Sequence, residues 1–179
     1  MLGQMMQQPL LISSLITHAE KHHGEQEVVS RRVEGDIHRC TYKEVASRSR
    51  RVANALAALG VQAGERVASL AWNGYRHMEL YIADHAEDQV MFFDMTFLPL
   101  ILAVAGRSKT IKHWVALTSR EHMPATDVAA KIPGLLCYEE LLAGHSEQYE
   151  WPTFDENTAS SLCYTSGTTG RPKGAVGGP

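Results

Sequence analysis

A run of hydroxyl-bearing residues, glycines and one lysine occupies residues 164–174, where the sequence reads Tyr-Thr-Ser-Gly-Thr-Thr-Gly-Arg-Pro-Lys-Gly. A polyphosphate is held by backbone N–H groups that approach it closely, by hydroxyl donors and by a positive charge. The run offers all three kinds of group within eleven residues. We therefore interpret it as a phosphate-binding loop.

Each residue type in this run contributes differently to phosphate binding. Glycines remove side chains that would keep the backbone away from the ligand, and Lys173 adds a mobile positive charge that Pro172 helps to restrain. Threonine and serine hydroxyls add donors, and a hydroxyl can also ligate Mg²⁺. The predicted phosphate-binding residues are Thr165, Ser166, Gly167, Thr168, Thr169, Gly170 and Lys173.

Two other interpretations of the run are weaker. A flexible Gly/Ser/Thr linker rarely follows a strand-like stretch and rarely carries a single lysine behind proline. A Walker P-loop needs glycine, four residues and then Gly-Lys-Ser/Thr. Here Pro172 stands five residues after Gly167, and Gly174 follows Lys173, so the Walker pattern is absent.

Strands and helices alternate in the centre of the chain, which predicts an α/β fold. A short strand is predicted at 66–71, and the continuous apolar runs at 90–93 and 114–117 are typical of strands that are buried on both faces of a sheet. Helical segments separate them, and this alternation favours a largely parallel, doubly wound sheet. A further strand at 161–164 leads into the predicted phosphate loop.

The N-terminal part predicts one helix, at 10–22, and then a hairpin. Two strands, 28–33 and 37–41, flank the turn Glu34-Gly35-Asp36. Thr41 and Glu44 form a capping-box pattern, which predicts a helix that begins there and ends at Gly60.

The other predicted helices cover residues 74–81, 97–105 and 138–143. The 97–105 helix is apolar nearly all round, with Pro99 in its first turn, and we expect it to be covered on most sides.

Composition excludes several kinds of partner. The net charge is −3, from 17 basic and 20 acidic residues, which offers no electrostatic attraction to nucleic acid or to an anionic membrane. Arg48, Arg50 and Arg51 are interpreted as a solvated helix face. The cysteines form no Cys-x-x-Cys pair, and the longest apolar stretch is too short to span a membrane. We expect a cytoplasmic protein without a transmembrane segment.

The run at 164–174 resembles the phosphate-loop signature of the AMP-forming, or adenylate-forming, enzymes. This family includes acyl-CoA synthetases, luciferases and the adenylation domains of peptide synthetases. Residues 41–44 and 64–67 also follow the family's early helix-to-strand passage, and 71–74 and 155–159 are most similar to its fatty acyl-CoA synthetase branch. The resemblance covers nearly the whole chain.

The resemblance implies a two-step ligation that uses ATP, Mg²⁺ and coenzyme A. A carboxylate of a fatty acid attacks the α-phosphate of ATP, which gives acyl-adenylate and pyrophosphate, and the thiol of coenzyme A then displaces AMP. Residues 165–170 and Lys173 would grip the β- and γ-phosphates, and Thr165 is the candidate for a magnesium-facing hydroxyl. No catalytic residue is predicted within the chain.

The sequence departs from the family pattern at two places. The adenine pocket, the magnesium-binding glutamate, the ribose-binding aspartate and the lysine-bearing C-terminal domain of the family come later than Pro179, and we expect the strand after the loop to begin only at Val176. Tyr81 also joins directly to Ile82 where the family has a further strand and helix, on the order of 30 residues. The neighbouring strand is then expected to have an unpaired edge.

These observations predict an incomplete N-terminal domain over residues 1–179. Its parts are a helix and hairpin (1–41), an α/β core (42–146), a connector (147–160) and the phosphate-loop segment (161–179). The expected function is that of a fragment of an ATP-dependent fatty acid–CoA ligase, inactive alone. The alternatives are a non-catalytic remnant, one half of a split enzyme completed by a C-terminal chain, and a standalone nucleotide-binding domain.

Overall fold

The computed structural model describes residues 3, 8–62, 64–83, 89–165 and 173–177, with the backbone alone from residue 162 onwards. Six helices and eight strands follow one another within these segments. They are α1 (Ile12–His23), β1 (Glu27–Arg31), β2 (Ile37–Thr41), α2 (Tyr42–Ala58), β3 (Val67–Leu70), α3 (Tyr75–Ala83), β4 (Val90–Phe93), α4 (Leu98–Val104), β5 (His113–Ala116), α5 (Thr126–Ala129), β6 (Leu135–Cys137), α6 (Tyr138–Ala143), β7 (Ser161–Thr165) and β8 (Lys173–Gly177).

A four-stranded sheet forms the centre of the molecule. Its order is β3-β4-β5-β6, and all three neighbouring pairs are parallel. Two antiparallel hairpins, β1-β2 and β7-β8, form separate small sheets. The α/β class, the parallel sheet and the N-terminal hairpin predicted from the sequence are confirmed.

Helices cover both faces of the parallel sheet. Phe92 of β4 and Val115 of β5 share a buried cluster with residues of α2, α3 and α6. Their neighbours in the chain, Phe93 and Trp114, pack instead with Ile101 of α4. Successive side chains of a strand point to opposite faces of the sheet, so both faces of each central strand are buried. This doubly wound arrangement explains why its strands read as continuous apolar runs.

The start and end of α2 follow the sequence pattern. Thr41 Oγ1 accepts a hydrogen bond from Glu44 N at 3.3 Å, and Thr41 N donates to Glu44 Oε2 at 2.7 Å. These bonds satisfy two donors that the helix cannot pair internally. After the last turn Gly60 adopts a φ of 87°, a left-handed conformation that favours glycine.

Two expectations about elements are wrong, and two elements, β6 and α5, were not predicted from the sequence. β6 is a strand of only three residues that is held by its pairing with β5, and α5 is a helix of only four residues. β8 begins at Lys173 and not at Val176. α4 is not covered on most sides, because Leu100 and Val104 are 53% and 40% exposed. Only Ile101 of this helix is fully buried.

None of the helices in the described segments has the length and apolar character that crossing a membrane requires.

Candidate functional site

The β7-β8 hairpin holds the two ends of the predicted phosphate loop. Thr165 and Lys173 are partners across the ladder, and the pairing continues from Tyr164 opposite Gly174 to Ser161 opposite Gly177. Directly opposed residues of an antiparallel pair have Cα atoms about 5 Å apart. The predicted loop therefore starts and finishes at the same end of one hairpin, as a compact anion-binding turn requires.

The predicted phosphate-binding residues fall into two groups. The backbones of Thr165 and Lys173 close the hairpin, whereas Ser166, Gly167, Thr168, Thr169 and Gly170 lie outside the described residues. The assignment of these seven residues to phosphate, and of Thr165 to Mg²⁺, stays a prediction.

The two strands of this hairpin differ in how strongly their sequences favour a strand. β7 reads Ser-Leu-Cys-Tyr-Thr, with an aromatic and a β-branched residue at its end, whereas β8 reads Lys-Gly-Ala-Val-Gly. Glycine, alanine and lysine are depleted in strands. Pairing with β7 therefore holds β8, and this explains why the sequence predicted no strand before Val176.

The connector that leads to the hairpin is fastened to α2. Asn54 Nδ2 donates to the carbonyl oxygens of Ser146 and Gln148 at 2.8 and 3.0 Å. Arg50 Nε donates to the carbonyl oxygen of Glu147 at 2.8 Å, and Ser47 Oγ to its carboxylate at 2.7 Å. The connector 147–160 contains no helix or strand, so these bonds fix its beginning against the core.

A network of polar and charged side chains joins α2, α3 and α6. Glu79 is 0% exposed and accepts hydrogen bonds from Arg48 Nε and from the Tyr138 hydroxyl, each at 2.7 Å. Arg48 also contacts Glu139 at 3.0 Å. The interpretation of the α2 arginines as a solvated face is wrong, because Arg48 is mostly buried and Arg50 pairs with Glu20 at 2.6 Å.

Arg76 extends this network to the N-terminal hairpin. Its Nη1 donates to Glu34 Oε1 at 2.7 Å and to the carbonyl oxygen of Leu117 at 2.9 Å, and its Nε donates to Glu139 at 2.9 Å. Thr118 also donates to Glu34, at 3.0 Å. These hydrogen bonds hold the β1-β2 turn against α3 and against the residues that follow β5.

The pKa shifts of the network follow from burial and from the two arginines. Burial raises the pKa of Glu79, and the charge and hydrogen bond of Arg48 offset this only in part. Burial also opposes ionisation of Glu34 and Glu139, but Arg76 and Arg48 respectively hold the pKa of each below its usual range. Each described charge has an opposite partner, so we interpret the network as a structural clamp.

A cleft of about 350 Å³ opens beside this network. Its lining includes Arg48 and Arg51, but also the carboxylates of Glu44 and Glu139. These opposite charges balance, so the cleft offers no excess positive charge to a phosphate. Among the described residues, no group of three His, Cys, Asp or Glu side chains could hold a metal ion.

The sequence carried only a weak signal of the network. Glu79 stands between Met78 and Leu80 in a helix whose residues Leu80 and Ile82 are buried, and a charge within such a stretch indicates a buried partner. The partners, however, lie 31 and 59 residues away in the chain, and no local pattern identifies them.

Comparison with known proteins assigns the chain to one family. The family model described as AMP-binding enzyme matches residues 15–86 and 80–177. The 3-methylmercaptopropionyl-CoA ligase of Ruegeria lacuscaerulensis is 46% identical over 200 residues, which cover 98% of this chain and 36% of that protein. The medium-chain-fatty-acid–CoA ligase of Ectopseudomonas oleovorans is 40% identical with the same coverage.

Solved structures share the fold at low sequence identity. The anthranilate CoA ligase AuaEII in complex with anthranoyl-AMP has a TM-score of 0.77 and 19% identity, with 97% of this chain and 35% of that chain covered. The A-PCP didomain of a carboxylic acid reductase from Segniliparus rugosus, in complex with AMP, has a TM-score of 0.73 and 18% identity, covering 96% and 32%.

The matches also show how this chain differs from its relatives. It spans 36% of the length of the two ligases, and their alignments run over 200 residues although the whole chain has 179. The relatives therefore contain residues that have no counterpart here. The two stretches of the family-model match overlap at residues 80–86, which agrees with the predicted shortening between Tyr81 and Ile82.

Proposed function

The chain belongs to the AMP-binding enzyme family, among its acyl-CoA ligases, and we propose that it is the N-terminal part of an ATP-dependent ligase that joins a carboxylic acid to coenzyme A. The observation that carries this proposal is the 46% identity over 98% of the chain to a CoA ligase. The reaction would form an acyl-adenylate and pyrophosphate from the acid and ATP, and then a thioester from the adenylate and the thiol of coenzyme A.

In this reaction the loop between β7 and β8 would bind the β- and γ-phosphates of ATP. The support is the pairing of Thr165 with Lys173, which brings both ends of the loop together. Backbone N–H groups and the lysine would neutralise charge that develops on the leaving pyrophosphate, with Mg²⁺ between the phosphates and Thr165 facing it. We retain the domain boundaries given above, with 161–179 as the phosphate-loop segment.

The proposed acid is a fatty acid or an acid of similar size. The named relatives act on medium-chain fatty acids and on 3-methylmercaptopropionate, as their names state. We place the reaction in the cytoplasm, where the buried Cys40 and Cys137 would stay reduced.

We expect the chain alone to show no ligase turnover and to need a complementing polypeptide. The related ligases are about three times as long, since the chain covers 36% of each. Rate enhancement in such a reaction depends on holding the acid, the ribose phosphate and the thiol together. The groups that the remaining length of the relatives carries would have to be added to these 179 residues for turnover.

The test measures MgATP binding by isothermal titration calorimetry for the chain and for Lys173→Ala and Thr168→Ala. Loss of a charged hydrogen bond costs about 1.5–3 kcal/mol, so we expect Lys173→Ala to weaken binding roughly 10- to 100-fold. Lys131→Ala is the matched control, because Lys131 is exposed and lies far from the hairpin in sequence. Equal affinity for all variants would refute the phosphate assignment.

Pyrophosphate release separates the competing functions. The purified chain is incubated with ATP, Mg²⁺, a medium-chain fatty acid and coenzyme A, and we expect no release above background. Robust release would refute the need for a second polypeptide. Binding of MgATP without turnover, together with failure to recover activity in mixtures with the C-terminal part of a relative, would instead favour a standalone nucleotide-binding domain.

A further inference from the structure

The strand β3 lies at one edge of the parallel sheet. In the order β3-β4-β5-β6 it pairs with β4 along its whole length, from Val67 opposite Val90 to Leu70 opposite Phe93. In the part of the chain that the structure describes, no strand pairs with its other side.

Two contacts at the end of β3 show which of its backbone groups face that open side. The carbonyl oxygen of Leu70 accepts from Asp94 N at 3.0 Å, and Trp72 N donates to Asp94 Oδ2 at 2.7 Å. Residues 70 and 72 therefore turn their backbone groups towards β4. Backbone direction alternates along a parallel strand, so Val67, Ser69 and Ala71 turn theirs outwards.

Apart from its length of four residues, β3 carries no common protective device against further pairing. Proteins usually prevent further pairing with charges, proline or a bulge on an edge strand, whereas β3 reads Val-Ala-Ser-Leu. Ser69 is exposed and Leu70 is only partly buried. Trp72, next to the end of the strand, is 59% exposed.

The comparisons indicate what could fill this position. The relatives have additional residues inside the matched region, and the two matched stretches overlap at residues 80–86, which include the last turn of α3 and precede β4. A strand within that additional segment could not enter between β3 and β4 or between later strands, because these pairs are already formed. It could join only at a sheet edge, and β3 is the edge nearer in sequence.

We propose that the β3 edge binds an extended segment of a separate polypeptide, which adds a fifth strand to the sheet. The partner is one that carries a segment like the additional one of the relatives. Main-chain hydrogen bonds to Val67, Ser69 and Ala71 provide the binding. On the α4 face, the added strand would cover the partly buried Leu70. This inference does not depend on the proposed ligase activity.

The probe is a fluorescent peptide with the sequence that the Ruegeria lacuscaerulensis relative carries between the positions matching Tyr81 and Ile82. Binding is measured by fluorescence anisotropy with the full chain and with Ser69→Pro and Ser69→Ala. Proline removes the outward N–H of residue 69 and no bond to β4, and edge positions tolerate it. Ser69→Ala keeps that N–H and, like proline, removes the serine contact with His77. Circular dichroism checks that each variant folds.

We expect the chain and Ser69→Ala to bind the peptide alike and Ser69→Pro to bind it at least about tenfold more weakly, where tenfold corresponds to 1.4 kcal/mol. Amide exchange at Ser69 should also slow when the peptide is present. Absence of binding to the chain, or equal binding to a folded Ser69→Pro variant, would overturn the proposal. A chain that is dimeric, and that Ser69→Pro makes monomeric, would show that a second copy occupies the edge and would also overturn it.

Discussion

Replacement of Arg48 by methionine should destabilise the protein strongly. Arg48 Nε contacts Glu79 at 2.7 Å, and the Glu79 side chain is 0% exposed, so the variant leaves a carboxylate buried without its positive partner. Breaking a buried ion pair in this way costs about 3–5 kcal/mol. For a domain of this size, 1 kcal/mol shifts Tm by roughly 2–4 °C. We therefore expect Tm to fall by about 6–20 °C.

Urea denaturation at pH 7, followed by circular dichroism, measures this loss. The control is Arg120→Met, which removes an ion pair with Glu140 whose side chains are 73% and 51% exposed. Such surface pairs contribute about 0–1 kcal/mol. Both variants remove the arginine of an arginine–glutamate ion pair. A difference in their stability loss therefore reports the effect of burying the pair.

A second variant distinguishes the buried charge from lost packing. Adding Glu79→Gln to Arg48→Met removes the unpaired charge and keeps an acceptor for the Tyr138 hydroxyl, which lies 2.7 Å from Glu79. The double variant should therefore recover part of the stability of Arg48→Met. If it is no more stable than Arg48→Met, or if Arg120→Met costs as much, the reasoning is refuted.

The pH dependence of Arg48→Met provides a further check with a definite sign. Burial raises the folded-state pKa of Glu79 above its ordinary value of 4.5, and removing Arg48 raises it further. The folded state then binds more protons than the unfolded state, so stability falls as pH rises through the raised pKa. The deficit of Arg48→Met should be smaller at pH 4.5 than at pH 7, and a deficit that grows on acidification would contradict this account.

Two other predictions concern the N-terminal hairpin and α2. Glu34→Gln should cost about 1.5–3 kcal/mol at pH 7, because the side chain is 6% exposed and accepts from Arg76 at 2.7 Å. Its pKa is held below the ordinary value of 4.5, so this stabilisation is present above pH 4.5 and is lost as pH falls through the folded-state pKa. Urea titrations at pH 7 and pH 3 should show the difference between wild type and variant shrink. Thr41→Ala should cost about 1 kcal/mol by removing the capping box, whereas Thr126→Ala, at a helix without a side-chain cap, should cost less in the same assay.

Local sequence patterns determined the elements whose stability depends on neighbouring residues. β4 and α6 have the predicted bounds, and α2 begins at its capping box and ends before Gly60. Continuous apolar runs identified the strands that are buried on both faces, because such strands need no alternation of apolar and polar residues. The phosphate-loop run likewise indicated the family that the comparisons then showed.

The tertiary structure decided the features that depend on distant partners. β6, with only three residues, and β8, whose residues favour a strand only weakly, are held by pairing with β5 and β7. Arg48, Glu79 and Tyr138 lie on three different helices, and their spacing in the chain does not predict that they are in contact. Helix caps and apolar periodicity are local interactions that a sequence displays, whereas ladder pairing and buried ion pairs arise only when the chain closes long loops.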